Sequence, residues 1–273
     1  MSTVHMRITP WIRKPRLRLQ SIPTPTPRTC CPRQQTASQA MSTATTLPQA
    51  TMAKLQQYTA CDISDALLKL KVPGAGYLAD LAPYSSKPSS DDATSPTITI
   101  APVSTILFAA KGETPAAPAP NVPKDTHWAD VSEPGTFVVM KQAPGQTNAI
   151  CGGIMALRMK MRRVEGIIVA GRVRDVQELR STKLPILALG QSTVGSGGGS
   201  IPWALQVPLD INGVNVSPGD IAFQDPANGV VVIPQDKVDQ VLEVLPRLTS
   251  ADDKVKEDVL KGMSVYDAFQ LHR

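Results

Sequence analysis

The stretch Ile167-Ile168-Val169-Ala170 constrains the fold most, because it is apolar at every position and shows no alternation. A strand of that kind is covered on both faces, as strands inside a parallel sheet are. Upstream, Phe137–Met140 reads as a second short buried strand. Between the two, Ile154, Leu157 and Met161 recur at helical spacing, and Arg162 and Arg163 stand where cations favour a helix C-terminus. The three segments spell a β-α-β unit, and with it an α/β fold.

The flanking sequence extends this frame. Asp62–Leu70 reads as a short helix with Asp62 as its N-cap, closed by Pro73-Gly74. A polar loop runs through Ser85–Pro96, and Ile98–Val103 and Ile106–Ala109 read as strands. Pro185–Leu189 is a further strand. Gly195–Ser200 is a glycine loop without the Lys-Ser/Thr ending of a phosphate-binding loop, so it reads as a linker or lid. Strands follow at Trp203–Leu209, Val214–Val216, Ile221–Gln224 and Val230–Ile233. Asn212-Gly213, Pro218-Gly219-Asp220 and Asn228-Gly229 mark the turns. The chain ends in helices. Val238, Val241, Leu242 and Leu245 form one apolar stripe, and Val255 and Val259 another; Ser264-Val265-Tyr266-Asp267 resembles a capping box.

Charge divides the chain in two. No Asp or Glu precedes Asp62, yet eight of the 28 Lys and Arg do. Setting these eight aside leaves 20 cations against 23 acids, so the net charge of +5 describes the leader and the remainder is mildly acidic. We therefore expect a leader over residues 1–50 and one domain over 51–273. The leader's Arg-rich, acid-free, proline-broken composition fits an organellar transit peptide and plain disorder alike, and Met41 or Met52 would serve as later starts. Cytoplasm and mitochondrial matrix both stay open as destinations. No basic face with interleaved aromatics suggests a nucleic-acid partner, and no run of about 18 apolar residues suggests a membrane span. Cys30, Cys31, Cys61 and Cys151 lack zinc-like spacing and fit free thiols.

The sharpest constellation is Cys151-Gly152-Gly153-Ile154-Met155-Ala156 followed by Gly171-Arg172-Val173-Arg174-Asp175. Gly152 and Gly153 follow a strand and open a helix, where first-turn N–H groups favour an anion and glycine lets a ligand approach. If the two strands are parallel neighbours, Arg174 and Asp175 share their carboxyl edge. Arg174 would grip a carboxylate through two hydrogen bonds, and Asp175 would hold a hard cation such as Mg²⁺. Taken singly, the pieces read more readily as a tight turn and a surface ion pair.

Gly152–Asp175 resembles the RraA-like family, which includes class II 4-hydroxy-4-methyl-2-oxoglutarate aldolases and oxaloacetate decarboxylases. Cys61–Leu70, His127–Gly135, Asn148–Ala156, Gly166–Leu179 and Gly219–Pro234 look like family segments in the family's order. The resemblance implies a compact α/β sandwich like the swivelling phosphohistidine (β/β/α) domain, assembled as homotrimers or homohexamers with sites at subunit interfaces. It places substrate binding on Gly152, Gly153, Ile154, Met155 and Arg174, and a metal, Mg²⁺ or Mn²⁺, on Asp175. The catalytic residues would be Arg174 and Asp175, the substrate a small 2-oxo acid, and the product pyruvate. Members that regulate ribonuclease E commonly lack that aspartate.

The chain also departs from the family. Bacterial aldolases often carry glutamate where Gly153 stands, and an acid in the preceding loop. Here that loop is Lys141-Gln142-Ala143-Pro144-Gly145-Gln146, with no carboxylate, and the Gly-Gly form looks more like the fungal branch. No side chain in the motif is placed to carry a proton, which leaves a metal-bound water. Asp225 and Asn228 read more readily as a polar hairpin turn than as groups facing a neighbour's metal site through bridging waters, and Asp62 and Asp65 as helix capping. Glu178 would orient Arg174 or be solvated, and His127 beside Trp128 reads as structural. Two further readings are a non-catalytic protein-binding regulator and a related 2-oxo acid lyase or hydrolase.

Overall fold

The computed structural model describes residues 47–87 and 97–273. The expected leader lies outside them up to residue 46, as does most of the expected Ser85–Pro96 loop. Helix α1 (Gln49–Leu55) buries Leu55. Helix α2 (Ala60–Lys69) is capped one turn earlier than Asp62: Thr59 is the N-cap. Its hydroxyl accepts from Asp62 N–H, and the Asp62 carboxylate accepts from Thr59 N–H, a reciprocal box that only Thr59 satisfies.

One eight-stranded sheet dominates. Its members are β1 (Ala82–Ser85), β2 (Thr99–Ala110), β3 (Phe137–Lys141), β4 (Gly166–Val173), β5 (Ile186–Gln191), β6 (Ser200–Leu205), β9 (Ile221–Asp225) and β10 (Gly229–Ile233). The order is β1-β5-β4-β3-β2-β9-β10, with β6 also pairing β2. β2 to β5 run parallel, and antiparallel strands close both flanks. β2 is one strand where two were expected. Its polar interruption is satisfied internally: Ser104 Oγ meets Thr136 Oγ1 at 2.8 Å and Thr105 Oγ1 donates to Val207 O at 2.6 Å. Trp203–Leu209 instead splits into β6 and β7 (Leu209–Ile211), because Gln206 turns the chain with φ 54°. β7 pairs with β8 (Val214–Val216) through Asn212-Gly213, both at positive φ.

The central strands are buried on both faces, as their unbroken apolar runs require. Val138, Met140, Ile167 and Val169 face α3 (Gly153–Met161) and α4 (Val176–Ser181). Phe137, Val139, Ile168 and Ala170 face the other way, onto the β7–β8 hairpin. Farther along the helical face, Ile100, Phe223 and Val231 pack under α2 and α5 (Val238–Leu260). Both C-terminal apolar stripes lie on this one 23-residue helix, which tolerates Pro246 inside it. Helix α6 (Val265–His272) follows, with Ser264 accepting from Asp267 N–H.

One expected face is reversed. In α3 the buried residues are Gly153, Ala156 and Met159, whereas Ile154, Leu157 and Met161 are 70%, 55% and 68% exposed. Small residues bring this helix close to the sheet and turn its larger apolar stripe outward.

Candidate active site

Parallel register brings the two halves of the motif together. β3 and β4 are hydrogen-bonded neighbours, with Met140 opposite Val169. Cys151 then forms a parallel bridge with Val173, and Arg174 N–H donates to Cys151 O at 3.0 Å. Gly152 and Asp175 therefore leave the same sheet edge side by side.

Asp175 has left-handed backbone, φ 56° and ψ 47°. Outside glycine this conformation is uncommon, and Asp and Asn are among the residues that tolerate it. It makes no side-chain cap to its own helix. Instead Oδ2 accepts from Gly153 N–H at 3.2 Å and lies 3.2 Å from Arg174 Nε. Among the described residues, no hydrogen bond reaches its Oδ1.

The glycines serve the chain's own charges. A Cβ on Gly152 would sit 2.7 Å from Asp175 Oδ2 and 3.1 Å from Arg174 Cγ. One on Gly153 would sit 1.9 Å from Glu178 Oε2, and one on Gly195 2.8 Å from Arg174 Nη1. The reading that the Gly-Gly pair leaves its backbone open to a ligand is thus corrected in part. Asp175 already takes the Gly153 N–H, and Glu178 fills the space above it. Among the described residues nothing accepts from the Ile154 and Met155 N–H groups, so the open part of the helix terminus starts one residue later. Glu178 packs against Gly153 and makes no ion pair with Arg174 among the described residues.

Gly152, Ile154, Met155, Arg174 and Asp175 line one cleft of about 310 Å³, together with His127, Trp128, Ile150, Cys151 and Gly195–Gly197. The volume lies in the range of small-molecule sites. Two contributors were not assigned to the site from sequence. His127 was read as structural, and the glycine loop as a linker or lid. The loop is tied down by Ala149 N–H donating to Val194 O at 2.7 Å and carries Gly195 against Arg174. No local signal announces either, since both arrive through tertiary contacts.

Cys151 is buried against this edge. Burial first, and the Asp175 carboxylate second, push its thiol up to about 12. It is a neutral thiol at physiological pH, unsuited to act as a nucleophile or base. Cys61, on α2, is the other free thiol among the described residues. Asp225 and Asn228 are remote from this chemistry. Asp225 is buried and accepts from Ala60 N–H, Ala227 N–H and Asn228 Nδ2, so it ties the β9–β10 hairpin to the start of α2.

A divalent cation would find one carboxylate here. Among the described residues no group of three or more His, Cys, Asp or Glu converges to hold a metal. That excludes a preformed protein cage among them, but fits Mg²⁺ or Mn²⁺ held by the free Asp175 oxygen and otherwise by water or substrate oxygens.

A curled α/β sheet with an anion-friendly, one-carboxylate cleft at its carboxyl edge defines the class. The chain belongs to the RraA-like family (Aldolase/RraA), whose model matches residues 60–232. An uncharacterised protein of Methanocaldococcus jannaschii is 31% identical over 124 residues, covering 45% of this chain and 58% of that one. A Stutzerimonas stutzeri protein, provisionally named 4-hydroxy-4-methyl-2-oxoglutarate aldolase, is 31% identical over 106 residues, covering 39% and 64%. The chain thus spans less than two thirds of these curated relatives. The fold is that of Streptomyces coelicolor RraAS2, described as an unusual member of the RNase ES inhibitor RraA family. That match has a TM-score of 0.57 at 23% identity and covers 80% of this chain and 98% of that one.

Proposed function

We propose that this chain is a divalent-cation-dependent carbon–carbon lyase for 2-oxo acids. It would cleave 4-hydroxy-4-methyl-2-oxoglutarate to pyruvate, decarboxylate oxaloacetate to pyruvate, or do both. The observation that carries this reading is the convergence of Arg174, Asp175 and the open Ile154 and Met155 amides in one cleft.

Each group has a distinct part. The Arg174 guanidinium binds the carboxylate next to the ketone, held between Gly152 and Gly195. The Ile154 and Met155 N–H groups, at the positive end of α3, favour the same negative charge. Asp175 offers Oδ1 to the cation while Oδ2 stays fixed on Gly153 N–H and Arg174. A bound Mg²⁺ or Mn²⁺ would supply positive charge beside the ketone, favouring the enolate left when the neighbouring C–C bond breaks. The buried Cys151 thiol takes no part.

The exposed stripe of Ile154, Leu157 and Met161 begins at the cleft itself. Such a stripe suits an interface with another copy of the chain, as the homotrimer or homohexamer that the family resemblance implies would need. The same stripe supports a second reading, a non-catalytic member that binds a different protein.

A lactate-dehydrogenase-coupled assay separates the two. The lyase reading expects pyruvate release from oxaloacetate or 4-hydroxy-4-methyl-2-oxoglutarate that needs Mg²⁺ or Mn²⁺ and is lost in Asp175→Asn while the oligomer stays folded. Release unaffected by chelation or by that substitution refutes it. A folded oligomer with no turnover on either substrate favours the protein-binding reading.

A further inference from the structure

His127 lines the cleft but has no place in the chemistry above. It precedes the 3-10 turn Trp128–Val131 as its N-cap, and its Nδ1 accepts from Ala129 N–H at 3.2 Å. A backbone N–H only donates, so this contact settles the tautomer: the proton is on Nε2. The ring lies 5.3 Å from the Trp128 ring at 35°, and Trp128 in turn packs edge-on against Phe108. The imidazole is therefore set on a buried aromatic base with one defined donor to spare. Among the described residues, nothing accepts from that Nε2–H.

The charged neighbourhood leaves this donor free. Asp130, on the same turn, is engaged by Arg158 of α3, and Arg162 of α3 donates to Ser132 O. Of the cleft's side chains, Arg174 and Asp175 come from the β4 edge, and Cys151 is a buried neutral thiol. That leaves His127 and Ser196 as the further polar side chains lining the cleft, apart from the Trp128 indole. The cleft is also larger than the pyruvate product requires. A three-carbon 2-oxo acid has six heavy atoms; at roughly 30 Å³ each it leaves much of the space unfilled.

We infer that His127 is a substrate-binding residue whose Nε2–H donates to the carboxylate at the far end of a dicarboxylic 2-oxo acid, so that the cleft selects substrates charged at both ends. This rests on the 2-oxo acid reading above. Arg174 and the α3 amides take the near carboxylate, and the imidazole Nε2–H takes the far one. A preset tautomer makes the contact directional, and leaving Nε2–H without an acceptor penalises a substrate whose far end is a methyl group.

Calorimetric binding of two five-carbon acids, with Mg²⁺ present, tests it. 2-Oxoglutarate ends in a carboxylate, and 2-oxopentanoate ends in a methyl group. The wild type should prefer 2-oxoglutarate. His127→Phe should lose about tenfold or more of that preference while its affinity for 2-oxopentanoate holds. His127→Gln, which keeps an N–H donor, should recover part of it. A structural role would lower both affinities together and leave their ratio unchanged, and that result overturns the inference. So does a wild type that binds both acids equally. A wild type that binds neither rejects the 2-oxo acid reading itself.

Discussion

Asp175 and Asp225 make the same contact with opposite consequences. Each ends a strand region and each accepts, through Oδ2, from the first N–H of a helix: Gly153 of α3 for Asp175, Ala60 of α2 for Asp225. Asp225 is then saturated by Ala227 N–H and the Asn228 amide and is buried. Asp175 keeps one oxygen free, stands beside a cation and faces a cleft. Anchoring a carboxylate to a helix terminus does not make it functional. The oxygen left over decides whether it holds structure or remains available to a ligand.

Substitutions at the two positions should separate activity from stability, and the largest effect belongs to Asp175. Asp175→Asn keeps the left-handed backbone tolerable and retains an acceptor, but removes the charge. Pyruvate release should fall by about 100-fold or more, while the unfolding free energy from urea titration changes by less than about 1 kcal/mol. Next comes Asp225→Ala, which leaves buried donors unpaired. Urea unfolding should show a loss of about 3 kcal/mol, with pyruvate release per folded molecule close to wild type. If the stability losses reverse between these two variants, the comparison fails.

Gly153→Ala should cost about 1–3 kcal/mol in thermal or urea unfolding, because its Cβ falls on the Glu178 side chain. Adding Glu178→Ala should recover only part of this, since Glu178 Cβ is itself 2.5 Å from the new atom.

The smallest effect is in acid. Burial raises the Asp225 carboxyl, but bonds from the Asn228 amide and from Ala60, Ala227 and Asn228 N–H outweigh it, so its value falls below the ordinary carboxylate range. A carboxyl lowered on folding stabilises the native state above its unfolded value of about 3.9. That stabilisation fades as pH drops through the lower native value. Urea unfolding of the wild type should therefore lose more stability than Asp225→Ala does between pH 5 and pH 2; parallel curves would show that Asp225 contributes nothing there.

The sequence made the β3-α3-β4 frame legible because strand and helix periods are local. Ile167–Ala170 could only be a strand covered on both sides, and Gly152 and Asp175 had to share an edge once the strands were parallel neighbours. The face of α3 was not legible. Periodicity locates an apolar stripe but does not say whether a sheet or another chain covers it. Here Ala156 and Met159 meet the sheet and Ile154 does not. His127 and Gly195 were out of reach for another reason. They join the cleft from segments about 25 residues upstream of Gly152 and 20 downstream of Asp175, and no spacing rule connects them. Thr59 was missed through competition between adjacent polar residues, where only the reciprocal bond pattern identifies the cap.

The left-handed backbone of Asp175 also bears on how such a chain would age. β-Branched and bulky replacements there would strain the turn between β4 and α4 before any chemistry was tested. Drift at this position is therefore weighted toward Asp, Asn and Gly, the residues that adopt the conformation at least cost, although Lys71, Arg163 and Gln206 show that others can hold it. Only one of the three carries a charge. A lineage on this scaffold that abandoned the cation should show its past most often as an Asn or a Gly where the aspartate stood.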